Sequence, residues 1–138
     1  MTRRIRVFLV DDHPLVRDWL KSLLQMEQDF EVIGEADESA VALAAMSASP
    51  PDVAVVDLSL KRGSGLDLIK SLHSSYPEIR VLVLSMHEEI SDVARALRAG
   101  ARGYVMKRES SNQIVPAIRW VNTGKIYATP EVFSKLVY

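Results

Sequence analysis

The feature that most constrains this chain is a beat of short apolar runs separated by segments of helical spacing. The runs are IRVFLV (5–10), FEVIGEA (30–36), DVAVVD (52–57), IRVLVLS (79–85) and RGYVMK (102–107). The first, third and fourth are rich in β-branched residues and nearly continuous rather than alternating, as strands buried on both faces should be. Segments 14–27, 39–48, 66–75, 88–99 and 110–122 follow them in turn and read as helices. Along 14–27, Val16, Leu20, Leu23, Leu24 and Glu27 fall on one side; along 110–122, Ile114, Ile118 and Val121 do. Pro50-Pro51, Pro77, Gly100 and Gly124 punctuate helix ends, where Pro and Gly belong. A strand–helix alternation repeated five times calls for a parallel sheet with helices on both faces. Residues 123–138 fall outside the alternation and read as a short final helix or the start of a linker.

Composition narrows what such a sheet can serve. With 138 residues, 48% hydrophobic and 25% charged, the chain suits one domain with a real core and excludes global disorder. Its 17 Lys+Arg against 18 Asp+Glu leave a net charge of -1, no electrostatic case for the whole chain binding nucleic acid or an anionic membrane. The absence of cysteine excludes a disulfide scaffold, a thiolate metal site and a Cys nucleophile. No apolar run approaches the ~20 residues that span a bilayer. The apolar run in MTRRIRVFLVDD is too short for a signal peptide, so the chain reads as cytoplasmic.

In open parallel sheets, ligands bind outside the carboxyl ends of the strands. Those ends are polar here: Asp11-Asp12 after the first run, Asp57 after the third, Ser85 after the fourth and Lys107 after the fifth. Any one of them alone is an ordinary strand-end polar residue; together at one edge they form a site. Three close carboxylates repel and raise one another's pKa unless a cation sits among them. With no His or Cys nearby, their hard oxygens suit Mg²⁺ rather than zinc. Asp57 stands alone at the end of the middle strand and is the natural nucleophile, since carboxylates attack phosphorus to form acyl phosphates. Lys107 and the Ser85 hydroxyl would neutralise and bond the remaining phosphoryl oxygens. The phosphate loops GxxxxGKS/T and GxGxxG are both absent, so nucleotide binding is unsupported.

Taken in order and spacing, VDDHPLVRDWL, VVDLSLKRGSGLDLI, VLVLSMH and GARGYVMK resemble the receiver domain of two-component response regulators. The phrases DDHPLVR and AGARGYVMK resemble most the NarL/FixJ (LuxR-type) subfamily, and the likeness covers about residues 4–122. The resemblance implies a flavodoxin-like α/β fold, a five-stranded parallel sheet in order 2-1-3-4-5. It makes Asp57 the phospho-acceptor, with Asp12, Asp57 and the backbone carbonyl of Ser59 as direct Mg²⁺ ligands and Asp11 acting through water. Ser85 takes the switch hydroxyl position, Tyr104 the switch aromatic position and Lys107 the phosphate-pairing position. A receiver takes its phosphoryl group from a sensor histidine kinase; it helps its own phosphorylation and hydrolysis but is no enzyme with a metabolic substrate. The same resemblance implies a receiver over 1–122, with 123–138 a tail or the start of a linker to a helix-turn-helix output domain that these residues do not contain. DNA would be read by that domain, and no specific DNA binding is expected of this chain alone. Two positions depart from the pattern: many receivers have Pro where Arg108 and Lys61 stand here.

Other residues admit plainer readings. His13, His73 and His87 read as loop or solvated helix residues, with His87 flanking the phosphoryl position. Leu15, Trp19 and Met26 form a second apolar stripe on the first helix, and Trp120 lies off the core stripe of the last. Packing between those helices and a phosphorylation-promoted homodimer face explain them equally well. A haloacid-dehalogenase-type phosphohydrolase is the chief rival, but it wants DxD after its first strand and a cap domain. A flavodoxin would want a hydroxyl-rich phosphate loop where Asp11-Asp12 repel phosphate.

Overall fold

A computed structural model of the chain describes residues 3–60, 62–86 and 90–130, together with Val132 and Ser134. Lys61 and His87 therefore lie outside the described residues. The strands are β1 (Ile5–Val10), β2 (Phe30–Ala36), β3 (Val53–Val56), β4 (Arg80–Ser85), β5 (Gly103–Met106) and β6 (Tyr127–Ala128). The helices are α1 (Pro14–Gln25), α2 (Ser39–Ala48), α3 (Gly65–Ser75), α4 (Ile90–Ala99) and α5 (Ser110–Asn122), with a short 3-10 turn at Lys107–Glu109. All neighbouring strands pair in parallel, in the order β2-β1-β3-β4-β5-β6.

The pleat divides the apolar runs between two cores. Phe8, Val10, Ala54, Val56, Val81, Val83, Tyr104 and Met106 point to one face, where Ala42 and Met46 of α2, Leu68, Ile69 and Leu72 of α3, and Val93 and Ala96 of α4 cover them. Val7, Leu9, Val53, Val55, Leu82, Leu84 and Val105 point to the other, under Leu20 and Leu24 of α1 and Ile114, Ala117, Ile118 and Val121 of α5. Because each central strand is buried on both sides, its sequence shows no polar alternation.

The sheet has six strands where the sequence pattern counts five. The additional one follows α5 through a turn at Gly124, whose φ of 90° is a left-handed backbone that glycine adopts without strain. The chain then turns back, Tyr127 N–H donates to the Arg102 carbonyl at 2.8 Å, and Tyr127 and Ala128 pair with Gly103 and Tyr104. Beyond it Val132 is fully buried in the core that holds Tyr104. No helix among the described residues is long and apolar enough to cross a membrane.

Candidate functional site

Four neighbouring strands release their chains at one edge of the sheet. Val10 of β1 pairs with Val56 of β3, and the Asp57 N–H donates back to the Val10 carbonyl at 2.9 Å, so Asp11 and Asp57 emerge side by side. Both are almost fully buried, at 3% exposure each. Lys107, just past β5, reaches over with Nζ 3.2 Å from Asp57 Oδ2 and 3.1 Å from Asp11 Oδ2. The Ser59 N–H donates to Asp57 Oδ1 at 3.1 Å and fixes the carboxylate from the loop side. That loop is set by the start of α3, where Ser64 caps the helix by accepting the Asp67 N–H. Gly65 is required there, because a Cβ at this position would stand 2.2 Å from the Asp57 carbonyl oxygen and 2.7 Å from Leu58 Cα.

The electrostatics follow from burial. Burial raises the Asp57 carboxyl above the ordinary aspartate value, against the pull of the Ser59 N–H and Lys107. Burial also pulls on the Lys107 ammonium, but Asp57 and Asp11 together outweigh it and raise that group too. The ammonium is thus firmly charged, while the Asp57 carboxylate is held charged at a cost. Asp12, with a side chain only 8% exposed, adds a third acid whose Oδ1 is buried without a hydrogen-bond partner.

His13 is not the loop bystander that its sequence position suggests. Its N–H and its ring Nδ1 both lie against Asp11 Oδ1, at 2.8 and 2.9 Å. Nδ1 is also 3.1 Å from Asp12 Oδ1 and 3.9 Å from Asp57 Oδ2, so a nitrogen donor belongs to the acidic set. The expectation that no His lies near the carboxylates is thus corrected: the tight turn after Asp11 brings the ring back onto them. Arg17 from α1 closes the back of the pocket with a hydrogen bond from Nη1 to the Asp11 carbonyl.

Ser85 and Tyr104 lie on β4 and β5, and Ser85 lines a groove with Lys107. Ser85 is fully buried at the end of β4, in register with Met106, and Tyr104 is fully buried two positions earlier on β5, opposite Val83. The Tyr104 ring is packed inward, in the core shared with α4. Trp19 lines a groove with Val16, Leu84, Lys107 and Ser111, while Leu15 and Met26 of the same stripe are 83% and 78% exposed. Trp120 fastens the turn into β6: its Nε1 donates to the Ile126 carbonyl at 3.0 Å and Lys125 Nζ lies 4.3 Å over the ring.

Residues 7–119 match the family described as the response regulator receiver domain. The chain belongs to that family. Among solved receiver domains, it resembles that of a NarL response regulator from Mycobacterium tuberculosis with a TM-score of 0.85 at 34% identity, over 90% of this chain and 100% of the other. A two-component response regulator of the LuxR family from Aurantimonas sp. SI85-9A1 superimposes with a TM-score of 0.91 at 29% identity, over 97% of this chain and 96% of that one. A DNA-binding transcriptional activator, DevR/DosR of Mycobacterium tuberculosis, is 39% identical over 88% of this chain and 56% of its own length. This receiver domain thus spans little more than half the length of curated relatives, 57% of one and 56% of another. Its sheet order, 2-1-3-4-5 with one strand added, is that of the receiver fold.

Proposed function

We propose that this receiver domain accepts a phosphoryl group on Asp57 from the phosphohistidine of a sensor histidine kinase. The reading is carried by the Asp57 carboxylate, buried at the sheet edge with Lys107 Nζ at 3.2 Å and the Ser59 N–H at 3.1 Å. A carboxylate oxygen attacks phosphorus, the bond from phosphorus to the donor nitrogen breaks, and its electron pair leaves with that nitrogen. Lys107 stands where it can meet a negative phosphoryl oxygen as charge builds there. Attack of water on the same phosphorus later returns the free carboxylate and inorganic phosphate. The domain thus loads and clears itself and has no metabolic substrate of its own.

Mg²⁺ is the cofactor that this pocket supports. Three carboxylates against one lysine leave two negative charges, and the buried Asp12 Oδ1 has no hydrogen-bond partner. Asp12, Asp57 and the Ser59 carbonyl would hold the ion, with Asp11 acting through water. When bound, it supplies charge neutralisation for the phosphoryl oxygens.

Phosphorylation then biases Ser85 and Tyr104, which lie on the adjacent strands β4 and β5, toward one packed arrangement. In the full-length cytoplasmic protein, residues 1–122 act as the receiver. Residues 123–138 lead toward a helix-turn-helix output domain that reads DNA, with a homodimer promoted by phosphorylation. The test is intact-mass spectrometry after incubation with acetyl phosphate and Mg²⁺. One phosphoryl group is expected on the parent and none on Asp57→Asn; equal labelling of both would contradict the reading.

A further inference from the structure

We infer that residues 125–130 and Val132 form a strap across the β5 edge that holds the Tyr104 ring inward, so that seating of this segment and packing of the ring are coupled. Only its link to phosphorylation rests on the proposed acceptor role of Asp57.

The strap is fastened on both faces of the sheet. β6 lies beside β5, with the Tyr127 N–H donating to the Arg102 carbonyl at 2.8 Å and Ala128 in register with Tyr104. Tyr127 packs against the core under α1 and α5, and its hydroxyl donates to Gln113 of α5. Ala128 and Val132 belong to the opposite core, the one shared with α4. The glycine at the start of β5 leaves room for this approach. A Cβ on Gly103 would stand 3.1 Å from the Tyr127 carbonyl oxygen and 2.8 Å from Leu82 Cδ1. The Thr129 hydroxyl, on a residue 1% exposed, accepts the Val132 N–H at 3.2 Å and turns the chain inward.

The seat of the strap is also the seat of the ring. Tyr104 and Val132 are both fully buried in one core. A dense interior does not stretch to fill a gap, so withdrawing either side chain strips contacts from the groups around the other. An inward ring and a seated Val132 therefore stabilise each other, and the coupling is reciprocal.

The strap can also leave without unfolding the sheet. Its pairing is two residues long, and it hangs from the left-handed turn at Gly124. Segments held by so few bonds open well below the free energy of global unfolding. Trp120 supplies an anchor away from the ring: it lies outside that core, and its Nε1 holds the Ile126 carbonyl at 3.0 Å. Phosphorylation that favours the inward ring would thus seat the strap and fix the segment leading toward the proposed output domain.

Nuclear magnetic resonance on the purified chain can follow the Tyr104 ring signals together with exchange of the Tyr127 and Val132 amides. Trp120→Phe removes the hydrogen bond to Ile126 from outside the core, and Val132→Ala thins the seat itself. Both should speed exchange at Tyr127 ~5-fold or more and shift the Tyr104 ring signals, with the amides of β1 and β3 unchanged. Loading the parent from acetyl phosphate with Mg²⁺ should slow exchange at both amides ~5-fold or more. Three results would each overturn the inference while leaving the receiver reading intact: exchange unaltered in both variants, ring signals unmoved where the strap is loosened, or exchange unaltered in a parent shown by intact mass to be phosphorylated. A parent that takes up no phosphoryl group would overturn the receiver reading instead. The two variants need no phosphate and still decide the strap.

Discussion

As the proposed nucleophile, Asp57 carries opposing demands, because a nucleophile must be charged and this carboxylate is buried. Its carboxyl is raised above the ordinary aspartate value, chiefly by burial. An acid whose folded value exceeds its unfolded one contributes stability only below the unfolded value, and that contribution is lost as pH rises through the folded one. At neutral pH the charged Asp57 therefore works against the fold. Without added metal, Asp57→Asn should stabilise the domain by about 1 kcal/mol, roughly 3–6 °C in Tm. Thermal scans should show that advantage shrinking as pH falls through the aspartate range; a variant less stable than the parent at pH 7 would contradict it. If Asp12 is the direct oxygen ligand proposed above, Asp12→Ala should weaken Mg²⁺ binding by calorimetry. Asp11, Asp12, Asp57, Ser85 and Lys107 are legible in the sequence because each directly follows an apolar run. His13 is not, since its approach depends on a turn in which its own N–H bonds back to Asp11.

Among the elements, the five strands and five helices are legible because burial on both faces leaves continuous apolar runs, and burial on one side leaves helical spacing. β6 carries neither signal: it is two residues long and pairs along one edge only. Its position is held instead by particular contacts, the Trp120 hydrogen bond to Ile126 and a hydrogen bond between the Tyr127 hydroxyl and Gln113. The approach of α3 to the loop after Asp57 is equally invisible in sequence, although Gly65 marks it. Gly65→Ala must move the helix or the Asp57 backbone, and should cost ~1–3 kcal/mol in denaturant titration while slowing phosphorylation. A fully stable, fully active Gly65→Ala would show that the close approach is unimportant. If Ser85 couples to the phosphoryl group as proposed, Ser85→Ala should still be phosphorylated, yet chemical shifts in α4 and β5 should move less than in the parent. Equal shifts in the two proteins would remove Ser85 from the coupling.

For the whole molecule, the sheet gathers Asp11, Asp57 and Lys107 at one edge and leaves an apolar stripe along α1 and its C-cap, with Leu15 and Met26 exposed and Trp19 partly so. If that stripe forms the homodimer face, Trp19→Ala should weaken phosphorylation-promoted association by more than ~1 kcal/mol in light scattering. Unchanged dimerisation would return Trp19 to its groove beside Lys107. The arrangement as a whole nevertheless depends on where the phosphoryl group goes. Borohydride reduces an acyl phosphate to an alcohol, so treatment of the acetyl phosphate-loaded domain marks the acceptor permanently for peptide mapping. The account predicts one converted side chain, at residue 57. Conversion at Asp11 or Asp12 instead, or none despite a stable phosphoryl adduct, would contradict it.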